Sequence, residues 1–271
     1  MPRLMSTNTG QFSAHTPQSD WFQTPAGRYV AQWATATANA LLVDVFGVQA
    51  AQIGCESLDL MAGNRIQHRF RCLTGVHGAC EPILCTSGTP VTVETDAAAL
   101  PFDSGSMDLI VLPFMLEAHP DPHQVLREVQ RVLRPEGQLL ILGFNPVSLW
   151  GVRNYLSRLA RPDAFDFPWP GNYLSVLRLK DWLKLLDFEV SRGHFGCYAP
   201  PCKRESTFSH LHWLELAGNR WWGFAGGCYA IMAIKQIPGM TLLTPSWLKS
   251  PKKIRSKASL VAEQNQTQQQ S

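Results

Sequence analysis

Between Val91 and Asn145 the apolar positions pass from alternation to a continuous run, then to helical spacing, then back to a run. Val91 to Thr95 alternates β-branched residues and ends at Asp96. Asp108 to Leu112, DLIVL, is nearly all apolar, as a strand covered on both faces should be. Asp121, Pro122 and Gln124 then spell a helix start. Asp121 can accept from first-turn amides, Pro122 fits the first helical position, and Gln124 completes a capping box. Val125, Leu126, Val129, Val132 and Leu133 recur at helical spacing, while Arg127, Glu128, Gln130, Arg131 and Arg134 fall mostly elsewhere. Pro135 and Gly137 end the helix, and Gln138 to Gly143 is a second buried-strand pattern. Strands alternating with a helix imply parallel β-α-β connections and a sheet with helices on its faces.

The flanking chain extends the pattern. Pro25 to Phe46 is a long helical segment containing Tyr29, Trp33, Ala40, Leu41 and Val45, stopped at Gly47. Ala50 to Gly54 fits a strand, Leu58 to Ala62 a single turn, and 65–73 a strand in which Ile66, His68, Phe70 and Cys72 alternate with polar residues. Ser148 to Leu159 predicts a helix with Leu149, Trp150, Val152, Tyr155, Leu156 and Leu159 on a broad apolar face. A loop over Arg161 to Gly171, a helix over Leu179 to Leu186 and a strand over Phe188 to Phe195 follow. Phe208 to Gly218 reads as helical. Trp221, Trp222 and Phe224 mark a bend whose aromatics could form a substrate platform but more commonly pack, and Cys228 to Ile234 is the last strand, with Lys235 at its exposed end.

The 271 residues, 45% hydrophobic and 17% charged, suffice for one domain and exclude a disordered chain. Residues 1–24 predict a flexible leader without the apolar core of a secretory signal, 25–236 the domain, and 237–271 a basic, Gln-rich tail. No apolar run reaches the ~20 residues that cross a bilayer, so cytoplasmic residence without membrane contact is expected. The segment from Lys249 carries +4 of the net +3, which leaves residues 1–248 near neutral at −1. Contact with nucleic acid would therefore run through the tail, although short charged tails are usually just solvated. Seven cysteines, an odd count, argue against a disulfide framework. Cys72, His77, Cys80 and Cys85 lack paired CxxC spacing. His119, Asp121 and His123 are interrupted by prolines, so no metal is expected.

Asp96-Ala97 followed by LPF, then DLIVL, then LREVQRVLRPEGQLLI, resembles the C-terminal half of class I S-adenosylmethionine-dependent methyltransferases of the type-11 kind. GFNPVSLWG and RLKDWLKLLDFEV resemble a bacterial subgroup whose substrates are unknown. The resemblance implies a Rossmann-like α/β fold, with a mostly parallel seven-stranded sheet, helices on both faces and a reversed last strand. It implies that S-adenosylmethionine is held by Gly54, Asp96, Ala97, Leu112 and Pro113, with Asp96 accepting from the adenine amine and the Ala97 amide donating to the ring. Family members carry GxGxG after the first strand. Here Gly54 is followed by Cys55, Glu56 and Ser57. They also end the second strand on an acid that holds the ribose, whereas here the first carboxylate after that strand is Glu81.

After Leu112 the chain enters the mouth of the sheet, where open α/β folds place ligands. Phe114, Glu117 and His119 there, with Asn145 after the following strand, are the expected acceptor pocket. Glu117 or His119 could orient a nucleophile or take its proton, or Glu117 could be an ordinary surface acid. Asn145 could cap the next helix or line the pocket. The expected function is methyl transfer to an unidentified acceptor, a small molecule rather than a macromolecule, with no catalytic residue assigned. The alternative is a methyltransferase-like binding or regulatory protein without catalysis. A dinucleotide oxidoreductase would need GxGxxG after a first strand, which is absent.

Overall fold

The computed structural model describes residues 21–55, 57–74, 91–160, 172–201 and 224–236. His77, Cys80, Glu81, Cys85, Trp221, Trp222, the 161–171 loop, the 208–218 helix, the tail and all but the last residues of the leader lie outside them.

The helices are α1 (Pro25–Leu42), α2 (Met115–Ala118), α3 (Pro122–Val132), α4 (Leu149–Ala160) and α5 (Val176–Leu185). The strands are β1 (Gln49–Ile53), β2 (His68–Leu73), β3 (Val91–Glu94), β4 (Met107–Pro113), β5 (Leu133–Phe144), β6 (Phe188–Gly196) and β7 (Cys228–Lys235). They form a seven-stranded sheet in the order β3-β2-β1-β4-β5-β7-β6. Pairings from β3 through β5 are parallel, and β7 runs antiparallel to both β5 and β6. The expected Rossmann-like architecture with a reversed last strand is the one observed. The order reverses between β1 and β4, and that crevice is where such sheets receive ligands.

Every residue of β4 is buried, as the DLIVL run required. Alternate side chains go to opposite faces. Leu109, Val111, Leu140 and Leu142 join α1 in one core; Ile110, Leu112, Leu139 and Ile141 join α3 and α5 in the other. Asp108, buried at the start of β4, accepts from the amides of Val48 and Gln49 and pairs with Arg134. One carboxylate thus ties the entry of β1 to β4. Lys235 is not merely an exposed strand end: its Nζ donates to the carbonyls of Gln130 (2.6 Å) and Leu133 (2.7 Å), where the end of α3 carries partial negative charge.

Two expectations need correction. The helix from Pro25 stops at Leu42 rather than Phe46, because the Asn64 amide takes the carbonyls of Leu42 (2.7 Å) and Val45 (3.2 Å) and turns the chain. The second strand begins at His68, since Asn64 Oδ1 accepts from the Ile66 amide and holds 64–66 in a turn. The helix at Leu149 forms as expected; Trp150 is buried, whereas Leu149, Val152, Tyr155, Leu156 and Leu159 are exposed.

Candidate active site

The carboxyl ends of β1, β3 and β4 bring the expected cofactor residues to one rim. Gly54 extends the β1–β2 ladder by donating to the Cys72 carbonyl at 2.9 Å, and its φ of 81° lies where side chains are strained. Cys55 follows with φ 50°, a conformation glycine adopts at lower cost. Gly54 and Cys55 thus form a tight turn at the end of β1. Buried Gln52 holds it: Nε2 donates to the carbonyls of Cys55 (3.3 Å) and Leu58 (2.5 Å), and Oε1 accepts from the Leu60 amide (3.0 Å). Burial pushes the Cys55 thiol up to about 12, so it stays protonated.

A Cβ added at Gly54 would lie 2.7 Å from Met115 Sδ. The glycine is thus needed for the thioether of α2, which also receives a contact from Thr74 Oγ1 at 3.6 Å. At the end of β3, Asp96 Oδ1 accepts from the Ala98 amide at 2.9 Å, the turn-capping bond, while Ala97 is buried beneath. The Asp96 side chain remains 65% exposed at the rim, an anionic acceptor of the kind an exocyclic amine needs. The rim residues present fit the adenosyl end of the cofactor.

His119 meets Asp96. Its Nε2 stands 3.4 Å from Asp96 Oδ1, and its Nδ1 accepts from the Asp121 amide at 3.1 Å. Nδ1 also lies 3.0 Å from the Asp121 carbonyl, so both ring nitrogens are engaged, one by the Asp121 main chain and the other by the Asp96 carboxylate. His119 also occupies the capping-box position expected of Gln124. Asp121 Oδ1 accepts from the Gln124 amide at 3.1 Å, but the Asp121 amide goes to the imidazole.

Phe114, φ 52°, is wholly buried in an aromatic cluster, 4.8 Å from Phe144 and 5.9 Å from Phe22 between ring centroids. Leu112 and Pro113 are buried behind it. Glu117 is not a surface acid: it is buried, and its Oε1 accepts from the Phe144 amide at 2.8 Å. Its Oε2 and the Tyr229 hydroxyl are buried without a hydrogen-bond partner. A Cβ at Gly143 would lie 2.5 Å from Glu117 Oε1 and from that hydroxyl, so the bare strand is what admits both. Burial outweighs the Phe144 amide and pushes Glu117 up to about 7. Asn145 is used structurally. Its Nδ2 donates to the carbonyls of Phe224 (2.8 Å) and Gly226 (2.9 Å), and Ser148, not Asn145, accepts from the first turn of α4.

Beside the Asp96–His119 contact opens a cavity of about 610 Å³. Sequence reasoning supplied His119 for it and missed the rest of the wall: Asn154 and Tyr155 of α4, Tyr173, and Arg178 and Trp182 of α5. The guanidinium of Arg178 lies 5.4 Å over the Trp182 ring, whose other neighbour is His123 at 3.5 Å between centroids. A His–Trp–Arg row on two helices leaves no local spacing signal. With His123 tilted against Trp182 and His119 turned to Asp96, the described residues hold no group of three metal ligands.

Residues 72–141, which run from the end of β2 through most of β5, match the family described as Methyltransferase domain. The matched stretch includes Asp96, Glu117 and His119 but not Gly54. The chain is 41% identical over 110 residues to the Uncharacterized protein YafS of Escherichia coli (strain K12), covering 40% of this chain and 44% of that one. It is 49% identical over 53 residues to the Ubiquinone/menaquinone biosynthesis C-methyltransferase UbiE of Hahella chejuensis, covering 20% of this chain and 21% of that one. The chain spans less than half the length of these curated relatives. In fold it is similar to a SAM-dependent methyltransferase from Thermotoga maritima, with TM-score 0.56 and 15% identity over 80% of this chain and 93% of that one.

Proposed function

We propose that this protein transfers a methyl group from S-adenosylmethionine to a small acceptor bound in the cavity beside His119. The observation that carries the reading is the contact between Asp96, at the cofactor rim, and His119, in the cavity wall. One contact makes donor and acceptor sites adjacent. The family of residues 72–141 supports the choice of donor, and a volume of about 610 Å³ suits a small molecule rather than a polymer.

When bound, S-adenosylmethionine supplies a sulfonium that already makes its methyl electrophilic. Asp96 and the Ala97 amide would hold the adenine, with His119 Nε2 steadying the carboxylate at 3.4 Å. The Gly54–Cys55 turn, braced by Gln52, presents main chain at the end of β1. The chain's contribution is alignment and exclusion of water. Both ring nitrogens of His119 are taken up, by Asp96 and by the Asp121 main chain, and Glu117 lies outside the cavity wall. Neither is placed as a base towards an acceptor. The arrangement therefore suits a nucleophile that needs no deprotonation, such as a carboxylate, a thiolate or a neutral amine.

Calorimetric titration with S-adenosylmethionine and with its demethylated product tests the donor site: saturable heat for both is expected. The single glycine of the turn, and the Met115 thioether packed against it, favour a second reading, a methyltransferase-like binding protein without this cofactor. Absence of heat and of thermal stabilisation at millimolar ligand would select that one.

A further inference from the structure

Arg178 stands in the wall of the cavity beside His119 with its guanidinium donors unused. Ser175 caps α5, and Arg178 and Trp182 follow four residues apart, on one face of that helix. The guanidinium lies 5.4 Å over the Trp182 ring. A cation–π contact holds the group in place without engaging an N–H, so its donors remain available. Other arginines of the described residues meet acids: Arg71 meets Asp59, Arg131 meets Glu128 and Arg134 meets Asp108. No described carboxylate pairs with Arg178, Asp181 three positions on included. Asp121, the acid of the described wall, accepts instead from the Gln124 amide. The imidazoles are engaged too, His119 by Asp96 and the Asp121 main chain and His123 by Trp182. Pro120, Pro122, Pro146, Tyr155, Tyr173 and Trp182 give the same wall flat apolar surface, with Tyr173 fixed by stacking on Phe144 at 5.1 Å.

We propose that the acceptor is an aromatic carboxylic acid, its carboxylate taken by Arg178 and its ring laid against the proline and aromatic wall. The inference rests on the methyl-transfer reading of this cavity and adds to it the chemistry by which the ligand is chosen. A guanidinium presents parallel donors that match the two oxygens of a carboxylate. One positive charge answers one negative charge. A phosphate monoester, at about −2 near neutral pH, would bring a second charge to a wall with no further unpaired guanidinium or ammonium among the described residues. The neutral amide of the same acid would fill the same volume and offer Arg178 no anion, so the site discriminates against it. The carboxylate of the cofactor itself is the poorer partner. Its amino-acid end belongs at the Gly54–Cys55 turn, and neither residue is part of the cavity wall.

The test is ligand-observed NMR titration of the full chain with 2-naphthoate and with 2-naphthamide, each with and without S-adenosylhomocysteine. Wild type should bind the acid roughly tenfold or more tightly than the amide. Arg178→Gln changes an exposed side chain and should bring the acid down to the level of the amide, with affinity for the amide and for S-adenosylhomocysteine unchanged. Arg178→Lys keeps the charge without the fork and should recover part of the preference. Equal binding of acid and amide by wild type, or no binding of either at millimolar concentration, overturns the proposal. So does a preference that survives Arg178→Gln, which would place the anion elsewhere. Weaker binding of S-adenosylhomocysteine by that variant would assign Arg178 to the cofactor and overturns it equally. Tighter binding of 2-naphthyl phosphate than of 2-naphthoate would assign the site to phosphate esters, with the same consequence. Failure of the methyl-transfer reading shows separately, as absence of S-adenosylhomocysteine binding while the acid still binds through Arg178.

Discussion

His119 Nε2 stands 3.4 Å from Asp96 Oδ1, while Nδ1 is held by the main chain of Asp121, 3.1 Å from its amide and 3.0 Å from its carbonyl. The end of β3 and the loop before α3 are thereby joined across the mouth of the sheet. One link holds the carboxylate that would face the cofactor and bounds the cavity beside it.

Replacing Asp96 with Ala should weaken binding of S-adenosylhomocysteine by ~1–3 kcal/mol, the cost of leaving a desolvated donor unpaired. Calorimetry should read this as roughly a 5- to 150-fold rise in Kd. His119→Ala should cost less, since it removes only the bond that orients Asp96. Unchanged affinity in Asp96→Ala would remove Asp96 from the site.

Gly54→Ala places a methyl where φ is 81° and Met115 Sδ would be 2.7 Å away. Strain and overlap together should destabilise the fold by ~2 kcal/mol in urea unfolding. In a Met115→Ala background the overlap disappears and the added cost should fall to the strain alone. Strictly additive costs would show that the two residues do not meet.

Glu117 carries a pH dependence. Its folded-state value is raised from 4.5 to about 7, so the folded protein holds a proton that the unfolded chain has released. Its contribution is complete below pH 4.5 and is lost as pH rises through 7, amounting to ~3 kcal/mol of unfolding free energy. Glu117→Gln keeps an acceptor for the Phe144 amide and has no proton to lose. The stability difference between variant and wild type should move in the variant's favour between pH 4 and pH 8. A difference constant across that range would place Glu117 in contact with water.

Gln52→Leu keeps the volume and strands the carbonyls of Cys55 and Leu58 and the Leu60 amide. A loss of ~3 kcal/mol is expected for these buried groups. Hydrogen exchange should accelerate at Leu60 before it does in β4, because the loop opens locally.

Much of the fold could be read from residue pattern. β4 is a continuous apolar run because both faces of the sheet are covered, and Asp121-Pro122 announces α3 because caps and first-turn prolines act locally. The parts of the site that escaped depend on tertiary placement. Nothing about the residue type at Cys55 reveals a positive φ, which Gln52 imposes from β1. Glu117 sits between a helix start and two prolines, and only the packing of β5 and Tyr229 buries it. The face of α4 marks a further limit. Helical spacing of leucines states that an apolar side exists and is silent on whether protein covers it.

The account turns on an adenosyl group at the rim where β3 ends. A crystal structure with S-adenosylhomocysteine tests it most directly. The adenine amine should lie within hydrogen-bond distance of the Asp96 carboxylate, with the sulfur directed towards the cavity beside His119. Ligand bound elsewhere, or a rim filled by the side chain of Met115 with no room for the nucleoside, would contradict it.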